Sequence, residues 1–596
     1  MTKVKGVVQN MGNIANAKTW IKNSYLWSFL KKGKNKWKHY QSRISPKGLD
    51  ALRLLYAQYY EQCKVNDNMI LYEAYAGRGM ICSPYAIFKM FRKRPDFAKF
   101  THIWVVESEQ QQQELKESCN DSNIEFVVRD TPLYCRYLCT TKFLINNLSF
   151  PTYYTKKNKQ IYINTWHGIP LKTLGFDIPE GRITGLNTIR NFLCVDVFLS
   201  PNHFMTERFR EAFLLEGISE GRVMESGMPR NDNLFHTCKS NIVETLRKAG
   251  VKLDEKKKII LYAPTWKGEK YSSPDTSTEL YFRLIEDLEK HIDMQEYQIL
   301  VKPHQIVYKH IVKKGEKLTD KFIPATVDTN EVLSIVDILI SDYSSIYFDY
   351  LASRKPILFY IPDLQDYQKQ RGLYFGIDKL PGPVAENLQE LGGLLEDIPT
   401  ATEPFKEKYE QERQWACGND DGTVCNRVIE ELIVRTNTEK LLSFHTNKKT
   451  KILAYSGDLQ PGEVRNKLKK WIAVVDYDKY DVTLLVPHTA TEPVLNWIKE
   501  VDQRVRVLRR TGKMAVTKEQ YKLADIIEKK SIAKATLDAE RRRELVKICQ
   551  TEVIRTVGMA KFDYAVDFSE GSIFYQNLFY SMEHTKMITI QQLENL

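Results

Sequence analysis

Short, unbroken apolar runs recur along this chain. They alternate with stretches in which apolar positions fall at helical spacing. A period near 3.6 marks a helix, and an uninterrupted apolar run bounded by turn residues marks a strand buried on both faces. On that basis residues 52–64 form a helix with Leu52, Leu54, Leu55, Tyr59 and Tyr60 on its apolar face. Met69–Tyr75, Thr101–Glu107, Ile124–Val128, Ile161–Thr165 and Asp196–Ser200 read as strands, with helices near Tyr85–Phe91 and over Pro132–Asn146. A second series follows at Lys258–Ala263, Tyr297–Val301, Asp337–Ser341 and Pro356–Tyr360, with helices such as Thr278–His291 and Ser344–Ala352 between the runs. A third begins at Lys451–Gly457 and continues through Asp481–Pro487, Val505–Leu508, Phe562–Phe568 and Met587–Ile590, with a highly charged helical region over Glu519–Cys549. Strands alternating with helices predict parallel, doubly wound sheets. The third series has the extent of one α/β half without a second.

The pattern divides the 596 residues into an N-terminal segment, 1–50, an α/β unit over 51–230, a second over 231–437, and an accessory α/β unit over 451–596. Asn437–Thr450 is polar and linker-like. Composition is ordinary for a soluble protein, at 43% hydrophobic and 27% charged. No apolar run reaches the roughly 18 residues that a spanning helix needs, and the N-terminus lacks the apolar core of a secretion signal. The ten cysteines show no zinc-ribbon spacing, which fits reduced thiols in a cytosolic protein.

Charge changes the picture at one place. Residues 1–50 carry eleven basic side chains against Asp50 alone, a net +10 out of +12 for the whole chain. Trp20, Tyr25, Trp27, Phe29 and Trp37 are interleaved with those lysines. Basic residues mixed with interfacial aromatics fit a segment lying on an anionic bilayer. A solvated tail and a nucleic-acid contact are the other readings of the same composition. The expectation adopted is membrane surface and no nucleic acid.

Candidate chemistry lies where strands end, since ligands of open α/β sheets bind outside the carboxyl ends of the strands. Four polar tips occupy such ends: Trp166-His167-Gly168; Ala263-Pro264-Thr265-Trp266-Lys267; Val301-Lys302-Pro303-His304; and Ser341-Asp342-Tyr343-Ser344-Ser345. One tip belongs to the first unit and three to the second, which places a site in a cleft between two domains. An imidazole on a tight turn, His167, suits acid–base work. His304 beside Lys302 suits a diphosphate. Ser344 and Ser345 open a helix, where free N–H groups and two hydroxyls make a phosphate site, and Asp349 lies a turn further in. A plain helix cap by Asp342 or a serine is the alternative. Gly77-Arg78-Gly79 is too short for a dinucleotide loop. No Asp-x-Asp follows a strand to hold a metal, so Lys302, Arg230 and the helix N-terminus are expected to supply the positive charge, with no metal or other cofactor.

These tips, in this order, resemble the CDP-glycerol glycerophosphotransferases, the family of teichoic-acid primases and polymerases. The matching stretches are Thr165–Lys172, Gly227–Asp232, Ala263–Trp266, Lys302–His304, Ser341–Tyr350, and Arg371–Phe375 with Pro381–Pro383, over roughly residues 65–435. The resemblance implies a GT-B fold, two Rossmann-like domains facing across a cleft, here with an extra C-terminal α/β domain. It implies CDP-glycerol, or a close CDP-alditol, as donor. The family's two histidines fall on His167, as general base toward an acceptor hydroxyl, and on His304, at the diphosphate. Gly168, Ile169, Pro170, Leu171, Arg230, Pro264, Thr265, Lys302, Pro303, Ser344, Ser345 and Asp349 are the expected donor contacts. The implied acceptor is a lipid-linked saccharide or polyglycerolphosphate chain at the cytoplasmic face of the membrane, in teichoic-acid or capsule-like polymer synthesis. Ile169 stands where a small hydroxyl residue is common, and Gln305 where proline or another residue is expected. Residues 451–596 lie outside the family core and resemble the N-terminal half of a nucleotide-sugar glycosyltransferase; packing, acceptor binding or homo-oligomer formation are the roles open to them. The competing expectations are a UDP-sugar glycosyltransferase and a non-catalytic assembly scaffold.

Overall fold

The computed structural model describes residues 48–178, 181–265, 278–314, 320–363, 372–434, 441–487 and 491–595. The basic segment through residue 47, Trp266 and Lys267 of the second tip, and Arg371 lie outside the described residues.

Three sheets organise the chain. The first has eight strands in the order β13-β7-β6-β5-β4-β1-β2-β3. Its members are β1 (Asn66–Glu73), β2 (Thr101–Val106), β3 (Ile124–Val128), β4 (Thr141–Asn146), β5 (Ile161–Asn164), β6 (Val197–Ser200), β7 (Arg222–Glu225) and β13 (Leu442–Ser443). All neighbours are parallel except β13, which runs antiparallel to β7. The second sheet, β12-β11-β10-β8-β9, comprises β8 (Lys258–Ala263), β9 (Tyr297–Val301), β10 (Ile338–Ser341), β11 (Ile357–Tyr360) and β12 (Val384–Ala385). The third, β16-β15-β14-β17-β18, comprises β14 (Thr450–Tyr455), β15 (Tyr480–Val486), β16 (Arg506–Arg509), β17 (Tyr564–Asp567) and β18 (Lys586–Ile588). This is the doubly wound α/β architecture expected from the alternating runs.

Two sequence expectations need correction. Pro132–Asn146 is not one helix: Thr131 caps a helix at Pro132–Thr140 by accepting from the Tyr134 amide, and the chain then enters β4. Thr141-Lys-Phe-Leu-Ile-Asn146 is β-prone and nearly all buried between β1 and β5, so sheet pairing outweighs the helical spacing of its apolar residues. Residues 424–434, assigned to the second unit by sequence, pack on the first sheet instead. Val424, Cys425, Val428, Ile429 and Leu432 share a core with Ile70, Tyr72, Trp104 and Ile163. The chain thus crosses back to the first domain before the linker, and β13 closes that domain's edge.

The third unit is welded to the first. Leu453, Tyr455, Leu485 and Leu508 of its sheet belong to one continuous core with Tyr56, Trp166, Phe192 and Phe198. The backbones approach closely: a Cβ on Gly558 (φ +65°) would lie 2.5 Å from the Leu193 carbonyl. Buried arginines stitch the seam. Arg190 donates to the carbonyls of Tyr154 (2.9 Å) and Arg555 (3.1 Å), Arg506 to that of Leu214 (2.6 Å), and Arg555 to those of Thr152 (3.2 Å) and Thr511 (2.6 Å). Of the roles open to this unit, packing against the first domain is the one displayed.

Glu552 is the charge that makes this seam tolerable. It is buried and accepts from Arg555 (2.5 and 2.8 Å) and from Arg510 (2.5 Å). Burial pushes its carboxyl up, but the two guanidinium groups outweigh that and hold its pKa at about 2. Its folded pKa is below the unfolded one, so its contribution is complete above about pH 4.5 and is lost as pH falls toward 2. Glu552→Gln leaves the buried Arg555 guanidinium and the half-buried one of Arg510 without this counter-charge. The expected loss is about 3–5 kcal/mol at neutral pH, read as a lower urea midpoint; an unchanged midpoint contradicts this account of the seam.

Candidate active site

β5 ends in a strained turn. The Asn164 side chain accepts from the Trp166 amide (3.0 Å), and Trp166 adopts φ +49°, a left-handed conformation unusual for a bulky residue. Burial among Phe192, Phe209 and Phe213, at ring-centroid distances of 5.7–5.9 Å, holds it there. The turn delivers His167 into the cleft. His167 Nδ1 lies 2.9 Å from the Asn147 carbonyl, which can only accept, so Nδ1 carries the proton and Nε2 the lone pair. Burial lowers its pKa to about 4, the hydrogen bond to Asn147 opposes this, and the Arg230 charge adds to the lowering. His167 is therefore a neutral imidazole at pH 7.

The next residues leave the first domain. Ile169 and Leu171 are buried in the core of the second domain with Leu261, Leu339 and Phe359. Lys172 forms a bridge to Leu373 and donates to Thr265 Oγ1 (2.6 Å), while the Leu171 carbonyl accepts from Tyr374 (2.9 Å). Ile169 and Leu171, expected as ligand contacts, turn their side chains into the second domain's core, and with Gly168 and Pro170 they form the strap that joins the two domains. Gly168 (φ +131°) must be glycine, because a Cβ there would lie 2.6 Å from Arg230 Nη2. Ile169 is an apolar anchor, which explains why a small hydroxyl residue is absent.

Between the two sheets lies a cavity of about 460 Å³. It is lined by His167, Arg230, Pro264, Lys302, Pro303, His304, Ser344, Ser345 and Asp349 among the expected residues. All four strand ends therefore converge as expected. Thr265 is the other exception: its amide donates to both oxygens of Asp342 (2.8 and 3.0 Å), and its hydroxyl accepts from Lys172. Asp342 thus ties β8 to β10. Ser345 occupies the N-cap without a capping side-chain bond, and Ser344 Oγ lies 3.5 Å from the Ile346 amide. The helix behind them is only Ile346–Tyr350, followed by a 3-10 turn at Leu351–Ser353, shorter than the sequence pattern predicts.

Charge in the cavity is distributed unevenly. Arg230 grips Asp349 through Nε–Oδ1 (3.1 Å) and Nη2–Oδ2 (2.6 Å), both side chains being buried. This fork bridges the two domains and largely neutralises itself. Lys302 is buried and donates to the Pro324 and Val327 carbonyls (3.0 and 3.1 Å); burial brings its pKa down to about 8, with Asp328 opposing. His304 ends the β9 tip and supplies the carbonyl that accepts from Tyr308 in the first turn of the following helix. Among the described residues no group of three or more His, Cys, Asp or Glu side chains is arranged to hold a metal ion.

Sequence reasoning missed one wall. The loop after β1 contributes Tyr75, Arg78, Ile81 and Cys82 to the cavity. Its backbone is left-handed at Tyr75, Ala76, Gly77, Gly79 and Cys82, and a Cβ on Gly77 would lie 2.9 Å from the Val106 carbonyl carbon. Asp328 reaches across to accept from the Cys82 amide (2.6 Å), and Asn147 Oδ1 accepts from the Tyr75 amide (2.8 Å). The signal was Ala76-Gly-Arg-Gly79 at a strand end, which fails as a dinucleotide fingerprint but marks close backbone approach. A second interdomain cavity, about 360 Å³, contains Lys89, Asn233 and Glu331, which satisfy one another at 2.6 Å, and Asp232, which accepts from the Val424 and Cys425 amides.

Comparison with known proteins bears on this geometry. A family described as CDP-glycerol:poly(glycerophosphate) glycerophosphotransferase matches residues 54–434. The teichoic acid poly(glycerol phosphate) polymerase of Bacillus spizizenii (strain W23) is 32% identical over 386 residues, which cover 62% of this chain and 92% of that protein. The polymerase of the same description from Bacillus subtilis (strain 168) is 29% identical over 367 residues, covering 58% of this chain and 47% of that longer protein. Among solved structures, the wall teichoic acid polymerase TagF superposes with a TM-score of 0.55 at 26% identity, over 68% of this chain and 98% of that one.

Gly168→Ala forces the Arg230 guanidinium away from Asp349 and strains the backbone. The expected cost is about 2–4 kcal/mol, from the left-handed conformation and the disturbed buried pair. Gly393→Ala is the control: it sits inside a helix with nothing within 4 Å of the added Cβ, and is expected to stabilise by about 0.5–1 kcal/mol. Thermal unfolding of both variants checks the contrast; equal midpoints contradict it.

Proposed function

The chain belongs to the CDP-glycerol:poly(glycerophosphate) glycerophosphotransferase family, and from that premise we propose that its cleft transfers glycerol phosphate from CDP-glycerol to a hydroxyl of a glycerol-phosphate chain in teichoic acid synthesis, releasing CMP. The observation that carries this reading is the His167 turn: a neutral imidazole, its tautomer set by the Asn147 carbonyl, in the same cavity as Ser344, Ser345, Lys302 and His304 of the other domain.

The acceptor hydroxyl gives its proton to His167 Nε2 as its oxygen bonds to the β-phosphorus. The bond from that phosphorus to the bridging oxygen breaks, and CMP departs with the electron pair. The proton then passes from His167 to solvent. Phosphoryl transfer needs positioning and charge stabilisation more than covalent help. Lys302, His304 and the amides and hydroxyls of Ser344 and Ser345 supply it on the donor side, without a bound metal in this reading. Arg230 and Asp349 hold the two walls together. Pro264, on the donor side, borders the nucleotide.

The acceptor in this reading is lipid-linked, and residues 1–45 hold the enzyme against the anionic cytoplasmic face of the membrane. No helix among the described residues is long and apolar enough to cross a membrane, so attachment is peripheral in this reading.

His167→Gln is expected to lower CMP release from CDP-glycerol about 10³-fold with little change in unfolding midpoint. In the wild type, kcat/KM reports the free enzyme, so its acid limb should lie near pH 4 rather than 6.5. A bound diphosphate favours the imidazolium, so the acid limb of kcat should lie at higher pH than that of kcat/KM. Full activity in the variant, or coincident limbs, sinks the assignment of the base.

Deleting residues 1–45 removes ten basic side chains. At roughly 1 kcal/mol per basic residue near an anionic surface, sedimentation with phosphatidylglycerol vesicles should weaken by at least about 100-fold, with little change on neutral vesicles. Unchanged binding refutes the anchor.

A further inference from the structure

We propose that Arg78 forms a subsite for the acceptor's own phosphate: it binds the phosphodiester next to the terminal glycerol and so selects chains that already end in glycerol phosphate over neutral acceptors. This rests on the reading of the cleft as a glycerophosphotransferase site.

The cations of the cavity differ in what their charge already faces. Arg230 is matched by Asp349 (2.6 Å). Lys302 is held by two backbone carbonyls. Outside the cavity, Lys309 of the helix that follows His304 is matched by Glu107 (2.6 Å). Arg78 lines the cavity half-buried, and the one hydrogen bond its side chain makes among the described residues goes from Nη1 to Gln305 Oε1 (2.8 Å). A neutral amide orients a guanidinium without cancelling its charge. Four of its five donors remain for a ligand, and a guanidinium fork matches a phosphate geometrically.

The loop that carries Arg78 is fixed before any ligand arrives. The Arg78 carbonyl accepts from Gln111 Nε2 (2.8 Å), whose Oε1 accepts from the Glu107 amide (3.0 Å). Left-handed Gly77 and Gly79 flank it. The same loop touches the proposed base: the Tyr75 ring lies 5.8 Å from the His167 ring, and Asn147 holds both the Tyr75 amide and His167 Nδ1. The Arg78 backbone thus belongs to the domain that presents the base, and its side chain spans the cleft to Gln305 of the domain that carries the donor groups Lys302, Ser344 and Ser345. A growing polymer carries a phosphodiester one glycerol unit from its attacking hydroxyl and must leave the cavity toward solvent. A half-exposed guanidinium with no carboxylate partner among the described residues, in the same cavity as the base, is placed to meet that phosphate. It also gives a physical role to Gln305, which departs from the family pattern.

The test compares two synthetic acceptors of equal length in the full chain. One ends in glycerol joined through a phosphodiester, and the other ends in glycerol joined through an uncharged methyl phosphotriester. CMP release is measured with CDP-glycerol for wild type, Arg78→Gln and Arg78→Lys, with unfolding midpoints recorded for each. The wild type should prefer the charged acceptor. Arg78→Gln should reduce that preference about 30-fold, the scale of one charge-assisted hydrogen bond, through the KM of the charged acceptor and with the KM for CDP-glycerol unchanged. Arg78→Lys should retain most of the preference. Equal losses on both acceptors, or a raised KM for CDP-glycerol, overturn the subsite and place Arg78 at the donor instead. Absence of CMP from wild type with either acceptor overturns the proposed function, and the subsite with it.

Discussion

The fork between Arg230 and Asp349 is the contact on which the rest of the cleft depends. It spans the two domains, is buried at both ends, and packs over Gly168 beside His167. A buried pair of this kind contributes little net stability against an apolar alternative, yet losing one partner strands a charge at a cost of about 3–5 kcal/mol. Its value is therefore geometric. It makes a small set of domain orientations far better than their neighbours, and the turn bearing His167 is held within that set. The strap through Ile169 and Leu171, the Lys172–Thr265 bond and the Asp328–Cys82 bond add apolar burial and directional contacts to the same constraint.

That constraint explains how one cavity holds groups of opposite task. The wall with His167 offers a neutral imidazole whose burial and fixed tautomer keep the lone pair available. The facing wall offers hydroxyls, amides and a buried lysine in a region where water is partly excluded and each dipole counts for more. Phosphoryl transfer between two hydroxyl-bearing partners requires this separation, because a cation close to the base would depress it and an anion close to the donor would repel it. Arg230 would be such a cation; Asp349 holds it and offsets its charge.

The accessory unit enters through Trp166. That residue sits in a left-handed conformation stabilised by burial against Phe192, Phe209 and Phe213, and the core around them continues into Leu453, Tyr455, Leu485 and Leu508 of the third sheet. The third sheet packs that face on its own helices, through Ile527, Leu545 and Leu578, and the same core runs on into the first domain, so the added residues complete the surroundings of the His167 turn.

Much of this was legible in the residues themselves. Apolar runs located most strands of the three sheets, and polar tips at strand ends identified His167, Lys302, His304, Ser344 and Ser345 as neighbours-to-be, because strand ends of a parallel sheet share one edge whatever the details of packing. The strand Thr141–Asn146 was hidden, since its apolar spacing is also helical and only pairing with β1 and β5 selects the extended form. The loop Tyr75–Cys82 was hidden as a wall because its glycines carry no side-chain chemistry; their meaning is a backbone path that exists only against Val106. Nor could local pattern show that Ile169 and Leu171 leave the cleft or that Arg230 and Asp349 bind each other. Those facts depend on where two domains meet. The sequence by itself determined which elements form and which chemical groups their ends present, because periodicity and turn chemistry are local. The tertiary structure decided which of those groups face the cavity and which hold it in shape, because that choice is made by long-range burial and by charges finding partners far away in the chain.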